Sequence, residues 1–145
     1  MVVREQRKRT GDWIQTFTGR QFWPLDPRPE EIFIEDIAHS LSQQCRYGGH
    51  CLRFYSVAEH CRRVSFACDT RDAFWGLLHD ATEAYLVDLP RPLKRYGLLG
   101  QEYQRVERRV MLCVCERFGL SVFEPTSVKE ADNFLLQWEQ RDIMA

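Results

Sequence analysis

No stretch of this chain approaches the roughly 20 consecutive apolar residues that would span a bilayer, and its basic start is followed by no apolar segment of the kind a secretory signal carries. Charge of one sign is not in excess either. The formal net charge is −1 and the pI near 6.4, so no global field would recruit nucleic acid or an anionic membrane. CxxC pairs are missing although six cysteines are present; Cys113 and Cys115 are separated by one residue, and Cys61 and Cys68 lie seven positions apart. That spacing excludes the common zinc modules. Internal repeats, low-complexity stretches and long linkers are also lacking. What remains is one domain, expected to be cytoplasmic with free thiols. At 145 residues and 44% hydrophobic it has enough chain for a core. The short basic run Arg4, Arg7, Lys8 and Arg9 reads as a solvated tail, residues 1–11 preceding a domain of residues 12–145.

What the chain does contain is an apolar stretch with charges inside it. Ala73 to Pro92, AFWGLLHDATEAYLVDLPRP, reads as one helix and a proline-bounded turn. It is apolar on nearly every face through Phe74, Trp75, Leu77, Leu78, Ala81, Ala84, Tyr85 and Leu86. Such a helix belongs in the middle of a fold, yet His79, Asp80, Glu83 and Asp88 sit within it. Buried ionised groups need a partner or a metal.

Around it the apolar periodicity predicts further helices. One runs from Ile34 or Glu35 to about Gln44. A second runs from Val57 to about Cys68, opened by Ser56 or Tyr55, with His60 on its stripe of Val57, Cys61 and Val64. A third covers Gln101 to Phe118, closed by Gly119. The last follows Pro125, with Ser127 and Glu130 spaced as a capping box and Asp132 inside the stripe of Val128, Ala131, Leu135 and Trp138. Asp69 and Asp72 are likewise spaced to cap the central helix. Residues 10–29 form an irregular aromatic segment broken by Pro24, Pro27 and Pro29, and residues 94–100 a loop with two glycines. The loop Cys45 to Tyr55, with Arg46, Tyr47, His50 and Arg53 beside two adjacent glycines, suits a phosphate or a stacked base as well as a plain connection. The expected fold is all-α, a bundle of about five to six helices.

Three of these helices each bring an ionisable group to a buried face: His60, the pair His79–Asp80, and Asp132. Two imidazoles and two carboxylates match Mn²⁺, Fe²⁺, Co²⁺, Ni²⁺ or Zn²⁺. Four protein ligands on a six-coordinate ion leave positions for water and a phosphoryl oxygen, as metal-assisted hydrolysis requires.

This pattern resembles the H…HD…D signature of the HD-domain metal-dependent phosphohydrolases. SVAEHC around His60, LLHDATEAYLVDLPRPLK around His79 and KEAD around Asp132 are similar to the bacterial 5′-deoxynucleotidases. They are similar also to the small phage HD hydrolases, including deoxyadenosine triphosphate triphosphohydrolases. GRQFWPLDPRPEEIFIEDIAHSLSQQCRYGGH resembles the N-terminal half of those short proteins, so the likeness covers about residues 12 to 142. It implies an HD-domain helical bundle around one divalent ion held by His60, His79, Asp80 and Asp132, with Mg²⁺ accompanying a triphosphate substrate. Glu83 would be the acid/base residue, and Asp88 would position water or protonate the leaving group. Arg46 and Tyr47 stand where the deoxynucleotidases have an arginine–tryptophan pair near sugar and phosphate, and Lys94 matches a phosphate-contacting lysine. The segment between His60 and His79 is shorter than in the bacterial nucleotidases, and the chain stops soon after Asp132.

The expected activity is hydrolysis of deoxynucleoside 5′-monophosphates, with triphosphate release from deoxynucleoside triphosphates as the alternative. A small-molecule nucleotide is the expected partner, without nucleic acid or membrane, and related folds imply a homo-oligomer. Two readings of other classes remain: a non-catalytic HD module binding nucleotide or protein, and a structural zinc site on Cys45, His50 and Cys51.

Overall fold

Helix α2, Val57–Ala67, begins where the Ser56 hydroxyl accepts the Glu59 amide at 3.0 Å, a serine N-cap of the expected kind. It packs on α1 (Ile34–Gln43), α3 (Ala73–Leu78) and α7 (Thr126–Asp142). The computed structural model describes residues 8–145, so Arg4 and Arg7 lie outside the described residues. The remaining helices are α4 (Glu83–Leu86), α5 (Arg91–Arg95) and α6 (Gly97–Phe118). The fold is all-α apart from one small antiparallel hairpin, β1 (Ile14–Gln15) with β2 (Gln21–Phe22), Ile14 standing opposite Phe22. No helix among the described residues is long and apolar enough to cross a membrane.

One core cluster joins Phe22, Ile32, Ile37, Leu41, Val57, Leu78, Val110 and Val114. A second seats Val128, Ala131 and Leu135 of α7 against Val64 and Trp75. The aromatic N-terminal segment is thus a hairpin with one anchoring ring: Phe22 is buried and stacks on Tyr85 at 4.1 Å. Asp36 pins the hairpin to α1 by accepting the Thr18 amide at 2.7 Å and its hydroxyl at 3.1 Å. Arg9 is no solvated tail residue. Its guanidinium lies 4.2 Å over the Trp23 ring, donates to the Asp26 carbonyl and pairs with Glu31.

The central segment departs from the single helix expected of it. α3 ends at Leu78, and residues 79–82 tighten into turns in which Ala81 N–H meets the Leu78 carbonyl and Glu83 N–H the Asp80 carbonyl. The Gly76 carbonyl, which a continuing α-helix would offer to the Asp80 amide, accepts the His79 Nδ1–H at 2.7 Å. Nor is the segment buried all round, since Phe74 and Leu77 are exposed while Trp75, Leu78, Ala81 and Tyr85 face inward. The expected capping boxes do not form either. The Ser127 hydroxyl donates to Asp72 at 2.5 Å, a tertiary bond between the starts of α3 and α7 that takes both side chains away from local capping.

The expected loop at residues 94–100 is helical, because Pro90 and Pro92 start α5 and α6 follows at Gly97. These two helices meet at Gly100, where a Cβ would stand 2.5 Å from the Lys94 carbonyl oxygen and 2.6 Å from that of Leu93. Alanine in place of a helical glycine ordinarily stabilises by about 0.5–1 kcal/mol. Here backbone stands in the way, so Gly100→Ala should destabilise by about 1–3 kcal/mol in chemical denaturation; a gain in stability would refute this packing.

Candidate metal centre

α2 and α3 approach closely because Gly76 has no side chain: a Cβ there would lie 3.0 Å from the Cys68 sulfur and 3.1 Å from Ser65 Cα. That approach places the His60 and His79 rings 5.2 Å apart. α7 supplies Asp132 from the third side. His60 Nε2 is 3.1 Å from Asp132 Oδ1 and 3.8 Å from Asp80 Oδ2. His79 Nε2 is 3.2 Å from Asp80 Oδ2 and 3.9 Å from Asp132 Oδ1. The four residues singled out as ligands therefore converge.

Both imidazoles have their other nitrogen engaged. His79 Nδ1 meets the Gly76 carbonyl, and His60 Nδ1 meets Glu139 Oε1 at 2.6 Å. Both Nε2 atoms are left facing the carboxylates, as in histidine ligands of metals. His79 Nε2 is buried without a hydrogen-bond partner. Burial pushes the Asp132 carboxyl up, but the hydrogen bond from His60 and the charge of His79 overcome it and leave it at about 2. Burial likewise opposes ionisation of Asp80, and His79 beside it holds it far below the ordinary carboxylate range. Two ionised carboxylates and two inward Nε2 atoms, one unpartnered, fit a divalent cation. His60, His79 and Asp132 bring their ligand atoms close enough to share one ion, and Cys61, His79 and Asp80 form a second such group, one that periodicity hid by placing Cys61 in the core. Burial pushes the Cys61 thiol up, against the hydrogen bond with His79.

A cavity of about 980 Å³ opens beside the cluster, and Arg46, Tyr47, Glu83, Asp88 and Lys94 all line it. Glu83 starts α4, 5% exposed, with Oε2 buried and unpartnered. Burial raises its pKa well above the usual carboxylate value, and Asp80 and Asp88 add to the effect. Lys94 Nζ lies 3.7 Å from Glu83 Oε1 and donates to Glu107 at 2.8 Å. Asp88 is raised in the same direction by burial. It follows Val87, a β-branched residue at φ 72°, where backbone strain of about 1–3 kcal/mol is expected. Two contacts hold that turn: Tyr103 Oη donates to the Val87 carbonyl at 2.5 Å, and the Asp88 amide donates to Gln44 Oε1 at 3.2 Å. Gln44 also donates to the Glu83 carbonyl at 2.9 Å, so one amide side chain fixes both carboxylate positions.

Arg46 and Tyr47 line the cavity with their polar ends tied to Glu139 and, for Arg46, also set near Asp80. Arg46 Nη2 donates to Glu139 Oε2 at 3.0 Å, Tyr47 Oη donates to the same oxygen at 2.6 Å, and Arg46 Nη1 lies 3.7 Å from Asp80. Glu139 was not anticipated. The stripe of Ala131 and Leu135 continues at Glu139, four residues on, rather than at Trp138, which is half-buried beneath Arg63. A glutamate at that spacing was the available signal. Cys45 and Cys51 bring their sulfurs to 3.9 Å, but among the described residues they form no three-ligand group with His50.

The protein YfdR of Escherichia coli K12, described only as uncharacterized, is 43% identical to this chain over 131 residues, 90% of this chain and 72% of YfdR. The chain belongs to the YfdR family. An uncharacterized protein of Rhodobacter capsulatus is 36% identical over 128 residues, covering 82% of this chain and 64% of that protein. No family model matches. For this member of the YfdR family the geometry makes a direct prediction. Co²⁺ or Mn²⁺ added to metal-stripped protein should stabilise it by about 2.7 kcal/mol at 100-fold over Kd, read as a rise in melting temperature. His79→Ala should abolish the rise, and a wild-type protein indifferent to every divalent ion would contradict the assignment.

Proposed function

We propose that this protein is a divalent-metal-dependent phosphohydrolase that removes phosphate from deoxynucleoside 5′-monophosphates. One observation carries the reading: two imidazoles stand within 3.1 to 3.9 Å of two carboxylates beside a cavity whose wall holds Glu83, a carboxyl with an unpartnered oxygen and a raised pKa. When bound by His60, His79, Asp80 and Asp132, the cation would polarise a phosphoryl oxygen and acidify water. Glu83 holds or releases a proton at Oε2, which suits the exchange between the attacking water and the leaving oxygen. Asp88, on its strained turn, is a second carboxyl placed for the same exchange. Lys94 sets a positive charge beside Glu83, where a phosphate would gain most from it. Arg46 is held by Glu139 and acts there through its field on Asp80 rather than by direct reach.

A second reading, triphosphate release from deoxynucleoside triphosphates, is favoured by Arg91, Arg95 and Lys129, which line the same cavity along with Lys94. Metal-stripped protein given Mn²⁺, Co²⁺, Mg²⁺ or Zn²⁺ and each deoxynucleoside mono- and triphosphate, with phosphate and triphosphate products separated, decides between them. Glu83→Gln should lower kcat by about 10²–10⁴ while leaving the cation bound, and Asp80→Asn should remove turnover and metal together. A folded Asp80→Asn protein with full activity would sink the proposal, and nucleotide binding without turnover under every metal would leave a binding module instead.

A further inference from the structure

We propose that Glu139 is the positioning residue of the metal centre, locking His60 in the tautomer that turns Nε2 toward the cation and tying cation affinity to the seating of the Arg46–Gly49 turn. This rests on the metal-binding reading above. The Glu139 side chain is wholly buried and receives four donors, two on each oxygen. His60 Nδ1 at 2.6 Å and Tyr55 Oη at 2.9 Å meet Oε1, while Tyr47 Oη at 2.6 Å and Arg46 Nη2 at 3.0 Å meet Oε2. An ionised carboxylate offers about four acceptor positions and no proton. All are filled, so the nitrogen facing it must carry a hydrogen, and Nε2, 3.1 Å from Asp132 Oδ1, is the nitrogen that would exchange its contact with that carboxylate for the cation.

Asp132 and Glu139 lie two turns apart on one face of α7, so a single helix grips both edges of the His60 ring. The other donors come from a braced loop. Cys45 and Ser56 pair across its base, Arg46 N–H meets the Tyr55 carbonyl at 2.9 Å, and Leu52 N–H meets the Ile143 carbonyl at 2.8 Å just beyond α7. Tyr47 adopts φ 57°, a left-handed conformation unusual for a tyrosine, and from it reaches Glu139. Glu139 belongs to neither group of possible His, Cys, Asp and Glu ligands among the described residues, yet it, Tyr47 and Tyr55 should all influence cation binding.

Calorimetric titration with Co²⁺ alone tests this on metal-stripped wild type, Glu139→Gln and Tyr55→Phe, each checked for folding by circular dichroism. Glutamine matches the shape, but its NH₂ would face two donors whichever way it is placed. Glu139→Gln should weaken Co²⁺ by about 10–100-fold, and Tyr55→Phe should weaken it in the same direction by less. A merely structural Glu139 would lower the melting temperature and leave the affinity of folded protein unchanged, which overturns the inference. Wild type that binds no Co²⁺ overturns the metal-binding reading itself, a separate outcome. Should Glu139→Gln not fold, ¹H–¹⁵N spectra of Zn²⁺-loaded wild type decide: a His60 Nδ1–H resonance supports the inference and an Nε2–H resonance refutes it.

Discussion

The structure depends on a fully buried imidazole gripped at both nitrogens by carboxylates of one helix. His60 has no exposed surface, and Asp132 and Glu139 take its two edges. Removing such groups from water is costly, and leaving any one unpaired costs about 3–5 kcal/mol. α2 and α7 must therefore hold their relative rotation and register closely, and α3 must stay near enough for His79 to face the same point. The absent side chain at Gly76 and the bond from Ser127 to Asp72 serve that placement.

Compensation around this point is uneven. Glu139 has every acceptor position filled, and burial is overcome by the hydrogen bond from His60, leaving its carboxyl at about 2. By contrast Arg46 Nε, His79 Nε2 and Glu83 Oε2 are buried without hydrogen bonds, although His79 Nε2 lies 3.2 Å from Asp80, and Tyr47 and Val87 both stand at positive φ. A fold that satisfies one carboxylate so completely has the means to satisfy others. Of the three unbonded atoms, Glu83 Oε2 belongs to a residue of the cavity wall, which is where the proposed hydrolysis would take place.

Much of this was legible in the residues. Two amphipathic stripes, each carrying one misplaced polar residue, located His60 and Asp132, and an apolar segment with charges inside it located His79–Asp80, because helical periodicity reports which face is buried. What escaped were features set by tertiary contact. The break after Leu78 comes with a histidine ring bonded to a backbone carbonyl. The lost capping boxes follow from a bond between residues 55 positions apart. The α5–α6 corner needs two backbones to touch at Gly100. Glu139 escaped because Trp138, one position earlier, suits an apolar stripe by composition, while the donors that make a buried glutamate tolerable come from a loop some 90 residues away.

Sulfur provides the sharpest alternative at the same place, since Cys61 lies within a possible ligand group that includes His79 and Asp80. X-ray absorption at the metal edge of Zn²⁺-loaded protein separates the two directly. The account predicts only nitrogen and oxygen neighbours near about 2.0–2.2 Å, with the outer-shell signature of two imidazoles. A sulfur neighbour near about 2.3 Å would contradict it.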